Sequence, residues 1–210
     1  MRKFTSTAAA AVLLSTSALF AEVSGGFVGI GIGGGGTASK MEGGDMSLKQ
    51  TYSGFNYGFV GGYKQFFNDY LGLRYYANVD LHHNMAKAEN ERLDIIIVNY
   101  GANVDFLGNF ISNETLDFGG FVGLGIGANT LAGKSISEDE KNAKENGDKF
   151  NTTGFDIALN VGLRTNIAKN HGVEVAVRVP FLPVTFQEGG GVKYTFGQEY
   201  SVLARYAFSF

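Results

Sequence analysis

Apolar and polar residues alternate along several segments of the chain. In residues 71–82 the odd positions are apolar or aromatic, from Leu71 to Leu81, while the even positions include Arg74, Asp80 and His82. Successive side chains of a β-strand point to opposite faces, so this alternation predicts a strand with one apolar and one polar face. The same pattern recurs in residues 96–106, 155–164, 173–181 and 200–210.

Three further segments fit the same template, with glycine at many positions of the second face. They are residues 28–32, 55–63 and 116–126. Glycine costs backbone entropy in a strand, but it leaves room where a narrow barrel crowds its interior. The pattern therefore predicts eight strands in total.

The predicted connections between these strands alternate in length. The odd-numbered connections are the longer ones, at residues 33–52, 83–92, 128–152 and 182–198, and the even-numbered ones are residues 67–70, 108–115 and 166–172. Short turns on one side and long loops on the other are typical of bacterial outer-membrane barrels. A closed antiparallel sheet also pairs every backbone group without an edge. We therefore predict an all-β fold, an eight-stranded antiparallel transmembrane β-barrel with the apolar face toward lipid. A soluble sandwich or lipocalin-like barrel, with that face toward a core, is the alternative.

The first residues have the form of an export signal. Arg2 and Lys3 precede an apolar stretch that begins at Ala8, and Ala21 supplies a small residue before Glu22. This arrangement predicts a signal peptide at residues 1–21 and a barrel domain at residues 22–210. No later stretch reaches the roughly 18 to 20 consecutive apolar residues of a spanning helix.

Composition narrows the partners that the chain is expected to have. It has no cysteine, which excludes disulfides and thiolate metal sites, and its net charge of −3 comes with no long basic stripe. We therefore expect no cofactor, no metal and no nucleic-acid partner.

Three segments carry a resemblance to a known family. Residues 200–210, and residues 171–184 before them, resemble the C-terminal strand of the Helicobacter outer membrane protein family, and residues 100–107 resemble a repeated element of that family. The resemblance implies an outer-membrane barrel in a family that includes adhesins and proposed porins. The last strand has the alternating aromatic form that barrel assembly machinery reads as a signal, carried here by Tyr206, Phe208 and Phe210.

The polar face of the predicted strands collects charged side chains that would line the lumen. They are Arg74, Asp80, Asp105, Asp117, Asp156, Arg164, Glu174, Arg178, Glu199 and Arg205. Eight strands close on an interior wide enough only for side chains, so these charges are expected to form a salt-bridged plug. A narrow ion path lined by fixed charges is the alternative, which would make the protein a small porin-like channel.

Catalysis is a third hypothesis, because some small outer-membrane barrels modify lipids. His82 and His83, beside Asp80, are the candidates for a general base, while His171 lies on the opposite side. A polar rim explains the pair equally well, and no nucleophile accompanies it, so we expect that the protein is not an enzyme.

The function expected from the sequence is therefore structural, or a surface interaction through the extracellular loops. The charge-dense run from Ser137 to Lys149 is the candidate contact loop. The expected partners are outer-membrane lipid and lipopolysaccharide, the barrel assembly machinery, and a host or surface ligand at the loops.

Overall fold

The computed structural model describes residues 24–43, 46–88, 91–133, 136–137, 140–141, 149–189 and 192–210. They form ten strands: β1 (Gly25–Gly43), β2 (Met46–Phe66), β3 (Leu71–Ala88), β4 (Glu91–Ser112), β5 (Leu116–Ala132), β6 (Lys149–Phe150), β7 (Thr153–Ile167), β8 (His171–Pro180), β9 (Val184–Gly189) and β10 (Val192–Ser209). The predicted signal peptide lies outside the described residues. Within them, no helical segment has the length and apolar character that crossing a membrane requires.

Eight of these strands close into a barrel. Each pairs antiparallel with its neighbour in the order β1-β2-β3-β4-β5-β7-β8-β10, and β10 pairs back onto β1. The two remaining strands are not part of the closed barrel. Strand β9 pairs with the start of β10, and β6 pairs with β9. The predicted eight-stranded antiparallel barrel is confirmed.

The apolar face of each strand points outward. On β1, Val28, Ile30 and Ile32 are 54–60% exposed, while the charged residues of the opposite face, such as Asp105 and Asp156, are fully buried. The wall therefore carries its apolar side chains outside and its polar side chains inside, which is the reverse of a soluble barrel. The soluble alternative is wrong.

Short turns join the strands at one end of the barrel. Asn68 accepts hydrogen bonds from the backbone of Tyr70 and Leu71, and Asn113 accepts them from Thr115 and Leu116, all at 2.9–3.0 Å. Asparagine bonded to the backbone two residues ahead is a standard way to close a turn. By the pattern of bacterial barrels this end is periplasmic.

At the other end, the predicted long connections are partly wrong. The glycine-rich segment 33–52 is a hairpin in which β1 continues to Gly43 and β2 starts at Met46, and β3 and β4 also extend through most of residues 83–92. Beyond the membrane both faces of a strand can be polar, so pairing continues without the alternation that reveals it. Glycine is required at position 33, where a Cβ atom would lie 1.9 Å from the carbonyl oxygen of Val202.

A β-bulge interrupts the pairing of β1 with β10. Gly36 pairs with Tyr200 but Thr37 pairs with Gln198, so Glu199 is an extra residue. An extra residue reverses which face the following side chains occupy. As a result Gln198 and Phe196 are buried, at 6% and 4% exposure, whereas Tyr200 remains outside.

The wall is also interrupted on the other side of β10. Among the described residues, β10 pairs with β9 from Val192 to Phe196 and with β8 from Ser201 to Phe208. Residues 197–200 therefore pair with neither of these strands. The chain has two prolines, and both lie in the facing segment, at Pro180 and Pro183. Proline has no N–H to donate to a neighbouring strand, which explains why the pairing stops there.

Candidate functional site

Arg74 forms the centre of a buried ionic cluster in the periplasmic half of the lumen. Its Nη2 and Nε donate hydrogen bonds to Asp105 at 2.7 and 3.2 Å, and its Nη1 donates one to Glu174. The guanidinium carbon also lies 4.6 Å from the ring centroid of Phe121 and 5.0 Å from that of Tyr76. Aromatic faces attract a guanidinium ion, so the rings and the carboxylates hold this side chain together.

Glu174 is surrounded by three arginines. Besides its bond to Arg74, it lies opposite Arg164 in the β7–β8 register and opposite Arg205 in the β8–β10 register. Arg205 also interacts electrostatically with Asp80, and the Arg164 guanidinium lies 5.4 Å from the ring centroid of Phe66. The predicted charges are therefore shared among several partners rather than matched in separate pairs.

Arg178 forms a second ionic cluster nearer the middle of the barrel. Its Nη2 donates to Asp156 at 2.6 Å, and its Nη1 donates to the side-chain oxygens of Asn103 and Asn160 at 3.0 and 3.1 Å. Asn99 donates to the same carboxylate at 3.0 Å. Asp156 thus accepts two hydrogen bonds from different strands, which fixes the geometry of the cluster.

Asparagines connect these ions across the lumen. Asn78 donates to Asp80 and Asn99 at 2.6 and 2.7 Å, Asn103 donates to Asn78 at 2.8 Å, and Asn160 donates to Asn103 at 2.9 Å. An amide both donates and accepts, so it can extend such a chain where an ion cannot. The sequence analysis missed this network, although these residues occupy the inward positions of strands that were predicted correctly.

The buried charges balance, which the sequence did not indicate. Glu199, predicted to line the lumen, lies on the outer surface and pairs with Lys49, because the bulge moves it out of the inward-facing series. Lys64 of β2 is buried instead, at 7% exposure. Asp117 is buried at the periplasmic end, where it accepts a hydrogen bond from Ser112 at 2.7 Å. Five cations and five carboxylates are therefore buried among the described residues.

An apolar cluster lies inside the extracellular end of the barrel. It consists of Ile97, Leu131, Ile136, Val184 and Phe196, which are 1–6% exposed. At this end of the barrel Thr37 also donates a hydrogen bond to Asn84 at 2.7 Å. The bulge brings Phe196 into this cluster, because it places that residue on the inner face.

The two adjacent histidines lie on opposite faces of β3. His82 is 1% exposed inside the barrel, and its Nδ1 lies 2.8 Å from the amide nitrogen of Gln198. His83 lies outside, stacked on Tyr57 with its Nε2 3.0 Å from the phenol oxygen. The structure therefore does not bring the two rings together. No group of three or more acidic or histidine side chains in the described part of the chain is arranged to hold a metal ion.

The three aromatic residues of the predicted assembly signal lie outside the barrel, at its periplasmic end. Tyr206 and Phe208 contact His171, with the Tyr206 hydroxyl 2.7 Å from its Nδ1. Phe210 is 74% exposed, and its backbone N–H donates to Gly26 at 3.0 Å.

Comparisons with known proteins place this arrangement among outer-membrane barrels. A family model described as Helicobacter outer membrane protein matches residues 58–210. No curated protein matches the chain. Among solved structures, OprG from Pseudomonas aeruginosa is 16% identical over 89% of this chain and 96% of its own, with a TM-score of 0.53.

Two further barrels are similar over most of their length. Neisserial surface protein A is 15% identical over 90% of this chain and 100% of its own, with a TM-score of 0.44. The Ail protein of Yersinia pestis is 17% identical over 88% and 99%, with a TM-score of 0.35. At these identities the likeness to OprG supports the barrel fold alone.

Proposed function

The chain belongs to the Helicobacter outer membrane protein family, and from that premise we propose that it acts through its extracellular hairpins, without conducting ions and without catalysis. The protein is an eight-stranded barrel of the outer membrane. Three properties of the described residues support the finer proposal, and the filled lumen carries most of it.

The lumen is obstructed at two levels. The ionic and asparagine network crosses the middle of the barrel, and the apolar cluster lies above it. Among the described residues, the cavity between Phe27, Lys64, Arg74 and Glu174 measures about 10 Å³, which is about the space that one water molecule occupies. An ion would have to break charge-assisted hydrogen bonds to pass, and these are among the stronger interactions in proteins.

The extracellular hairpins supply a surface for contact. Beyond Gly36, β1 extends through seven more residues to Gly43, which is roughly 23 Å at a strand rise of ~3.3 Å per residue. At the tip of this hairpin Met46 and Leu48 are 63% and 56% exposed. Apolar side chains held out on a paired strand favour contact with another surface. The run from Ser137 to Lys149 lies mostly outside the described residues.

The histidines support the non-enzymatic part of the proposal. A general base must reach the proton that it abstracts. His82 is enclosed by the barrel wall, and His83 is stacked on Tyr57 without a carboxylate among its described partners. We expect that His83→Ala leaves the lipid A composition of producing cells unchanged, as measured by mass spectrometry. An altered acyl pattern would contradict this part of the proposal.

Single-channel current across a planar bilayer tests the closed lumen. Refolded protein, shown to be folded by its mobility on unheated and boiled gels, should give no discrete current steps. Arg178→Glu and the matched surface variant Lys141→Glu are compared with the native protein. Steps in the native protein that change with Arg178→Glu but not with Lys141→Glu would replace the proposal with the pore hypothesis.

Binding to cultured epithelial cells tests the surface role. The barrel is reconstituted into lipid nanodiscs, and the bound fraction is measured by flow cytometry. Met46→Ser with Leu48→Ser should reduce binding, whereas Thr51→Ser on the same hairpin should not. A shortened loop that lacks residues 138–148 but keeps the buried Ile136 tests the charged run separately. Undiminished binding by both altered proteins would contradict a role for these loops.

A further inference from the structure

We propose that a groove on the outer wall, at the extracellular boundary of the membrane, binds one outer-leaflet lipid through its phosphorylated headgroup. The groove has a volume of about 410 Å³. It crosses the wall from β2 over β1 and β10 to the proline-flanked segment 180–183. The proposal is independent of whether the lumen conducts.

The interrupted wall explains why a groove exists here. Within the described part of the chain, residues 197–200 of β10 have no partner strand on the side of β8 and β9, and segment 181–183 crosses that position without regular pairing. Pro183 packs directly over Gly197. A Cβ atom on Gly197 would lie 2.9 Å from the Cα of Pro183. The two prolines and the bulge therefore account for the groove.

The lower part of the groove lies at the level of the lipid-facing band. Outward apolar residues continue up β10 to Tyr200 and up β8 to Phe181, which are 47% and 55% exposed. Exposed aromatic side chains are typical of the membrane boundary in such barrels. Phe181 and Leu182 line the groove itself. An acyl chain beside the band would thus reach the groove without leaving the apolar surface.

Two lysines line the upper part of the groove. Lys40 and Lys49 lie directly opposite each other on the outer face of the β1–β2 hairpin, and both line the groove. Each ammonium group contacts one carboxylate, Glu42 for Lys40 and Glu199 for Lys49. Lys193, opposite Glu42 in the β1–β10 register and opposite Glu188 in the β9–β10 register, is not among the lining residues.

Both ion pairs have side chains 36–55% exposed, and exposed ion pairs contribute little to stability, so each ammonium group can exchange its carboxylate for a phosphate. The hydrogen bond from Lys40, together with its charge, lowers the pKa of Glu42, so that carboxylate is ionised at neutral pH. Like charges directly opposite on a strand pair are unfavourable. A phosphate oxygen between the two ammonium groups would relieve this repulsion. Two lysines and one carboxylate, Glu199, line the groove, so its lining favours an anion.

A lipid is the occupant that fits both halves of the groove. An acidic peptide would satisfy the lysines but would offer nothing apolar to the lower part of the groove, which Phe181 and Leu182 line. A second copy of the chain would have to bring its own negatively charged surface into the membrane boundary. A lipid with a phosphorylated headgroup matches the charge above and the apolar surface below.

Native mass spectrometry of the detergent-solubilised, folded protein tests the site. The probes are bis-phosphorylated lipid A and the same lipid after removal of its phosphates. The double variant Lys40→Gln/Lys49→Gln removes the charge, and Ala38→Trp fills the floor of the groove while keeping both lysines. Lys141→Gln, an exposed lysine elsewhere on the chain, is the matched control. Every variant is first shown to be folded by its heat-dependent gel mobility.

We expect the native protein to retain one phosphorylated lipid about tenfold more tightly than the dephosphorylated one. The double variant should lose about that factor, because a basic residue near an anionic headgroup contributes severalfold in affinity. Ala38→Trp should lose it as well, and Lys141→Gln should not. Equal retention of the two lipids by the native protein, or full retention by both groove variants, would overturn the proposal.

Discussion

Replacement of Arg74 by methionine is the most direct test of the buried ionic cluster. Methionine has a similar length, so the change removes the charge and the donors while leaving little empty space. It leaves Asp105 without its arginine partner inside the barrel, and it removes one of the three arginines around Glu174. Loss of one partner from a buried ion pair costs about 3–5 kcal/mol, because the remaining charge stays desolvated.

The aromatic contacts of Arg74 add to this cost. Its guanidinium carbon lies 4.6 and 5.0 Å from the rings of Phe121 and Tyr76, and 5.7 Å from that of Phe27. The two nearer rings contribute roughly 1 kcal/mol between them. We therefore expect the free energy of unfolding to fall by about 4–6 kcal/mol. Arg74→Lys should lose less, because it keeps the charge but not the planar fork of donors.

Urea titration of the barrel in lipid vesicles measures the change, with folding followed by circular dichroism and gel mobility because the chain has no tryptophan. The double variant Arg74→Met/Asp105→Asn completes the cycle. Because it removes the stranded charge, it should be less destabilised than the sum of the two single variants. A loss below about 1 kcal/mol in Arg74→Met would refute the reasoning, as would strict additivity, because either result means that the cluster is solvated.

Three further changes test the wall, the apolar cluster and the terminal strand. Gly33→Val should destabilise the barrel by about 3 kcal/mol in urea titration, since its Cβ would meet the backbone of Val202, whereas Gly34→Val on the lipid face should be tolerated. Leu131→Ala should cost about 2–4 kcal/mol in the same assay by leaving a cavity in the apolar cluster, and an unchanged midpoint would mean that this cluster does not pack. Phe210→Ser should slow insertion into vesicles that contain the assembly machinery. It should not slow unassisted refolding, because the exposed Phe210 ring makes few internal contacts. Equal insertion rates of the variant and the native protein with the machinery would count against the assembly signal.

The strands within the membrane could be predicted from the sequence because lipid imposes a strict rule on them. Every outward position there faces hydrocarbon, so period two is visible in segments such as 71–82 and 96–106, which lie within β3 and β4. Outside the membrane both faces meet water and the rule no longer applies. The extension of β1 beyond Gly33 therefore left no regular alternation to detect.

The lumen was only partly predictable for a related reason. Nine of the ten predicted charged residues are buried, because a regular strand alternates without exception between bulges. Lys64 was missed because Gly61 and Gly62 interrupt the pattern just before it. The apolar cluster was missed because inward residues such as Ile97 break the expectation of a polar interior, and only the closed barrel brings them together.

The bulge at Glu199 affects both the interior of the barrel and its outer surface. In a regular register this carboxylate would be a sixth buried acid facing five cations, and an uncompensated charge in the lumen would cost several kcal/mol. One extra residue in β10 places Glu199 outside, where it forms an ion pair with Lys49. The same extra residue turns Phe196 inward to the apolar cluster and Gln198 inward to His82. A single irregularity in the wall therefore keeps Glu199 out of the interior, adds Phe196 to the apolar cluster and places a carboxylate beside Lys49 on the outer surface.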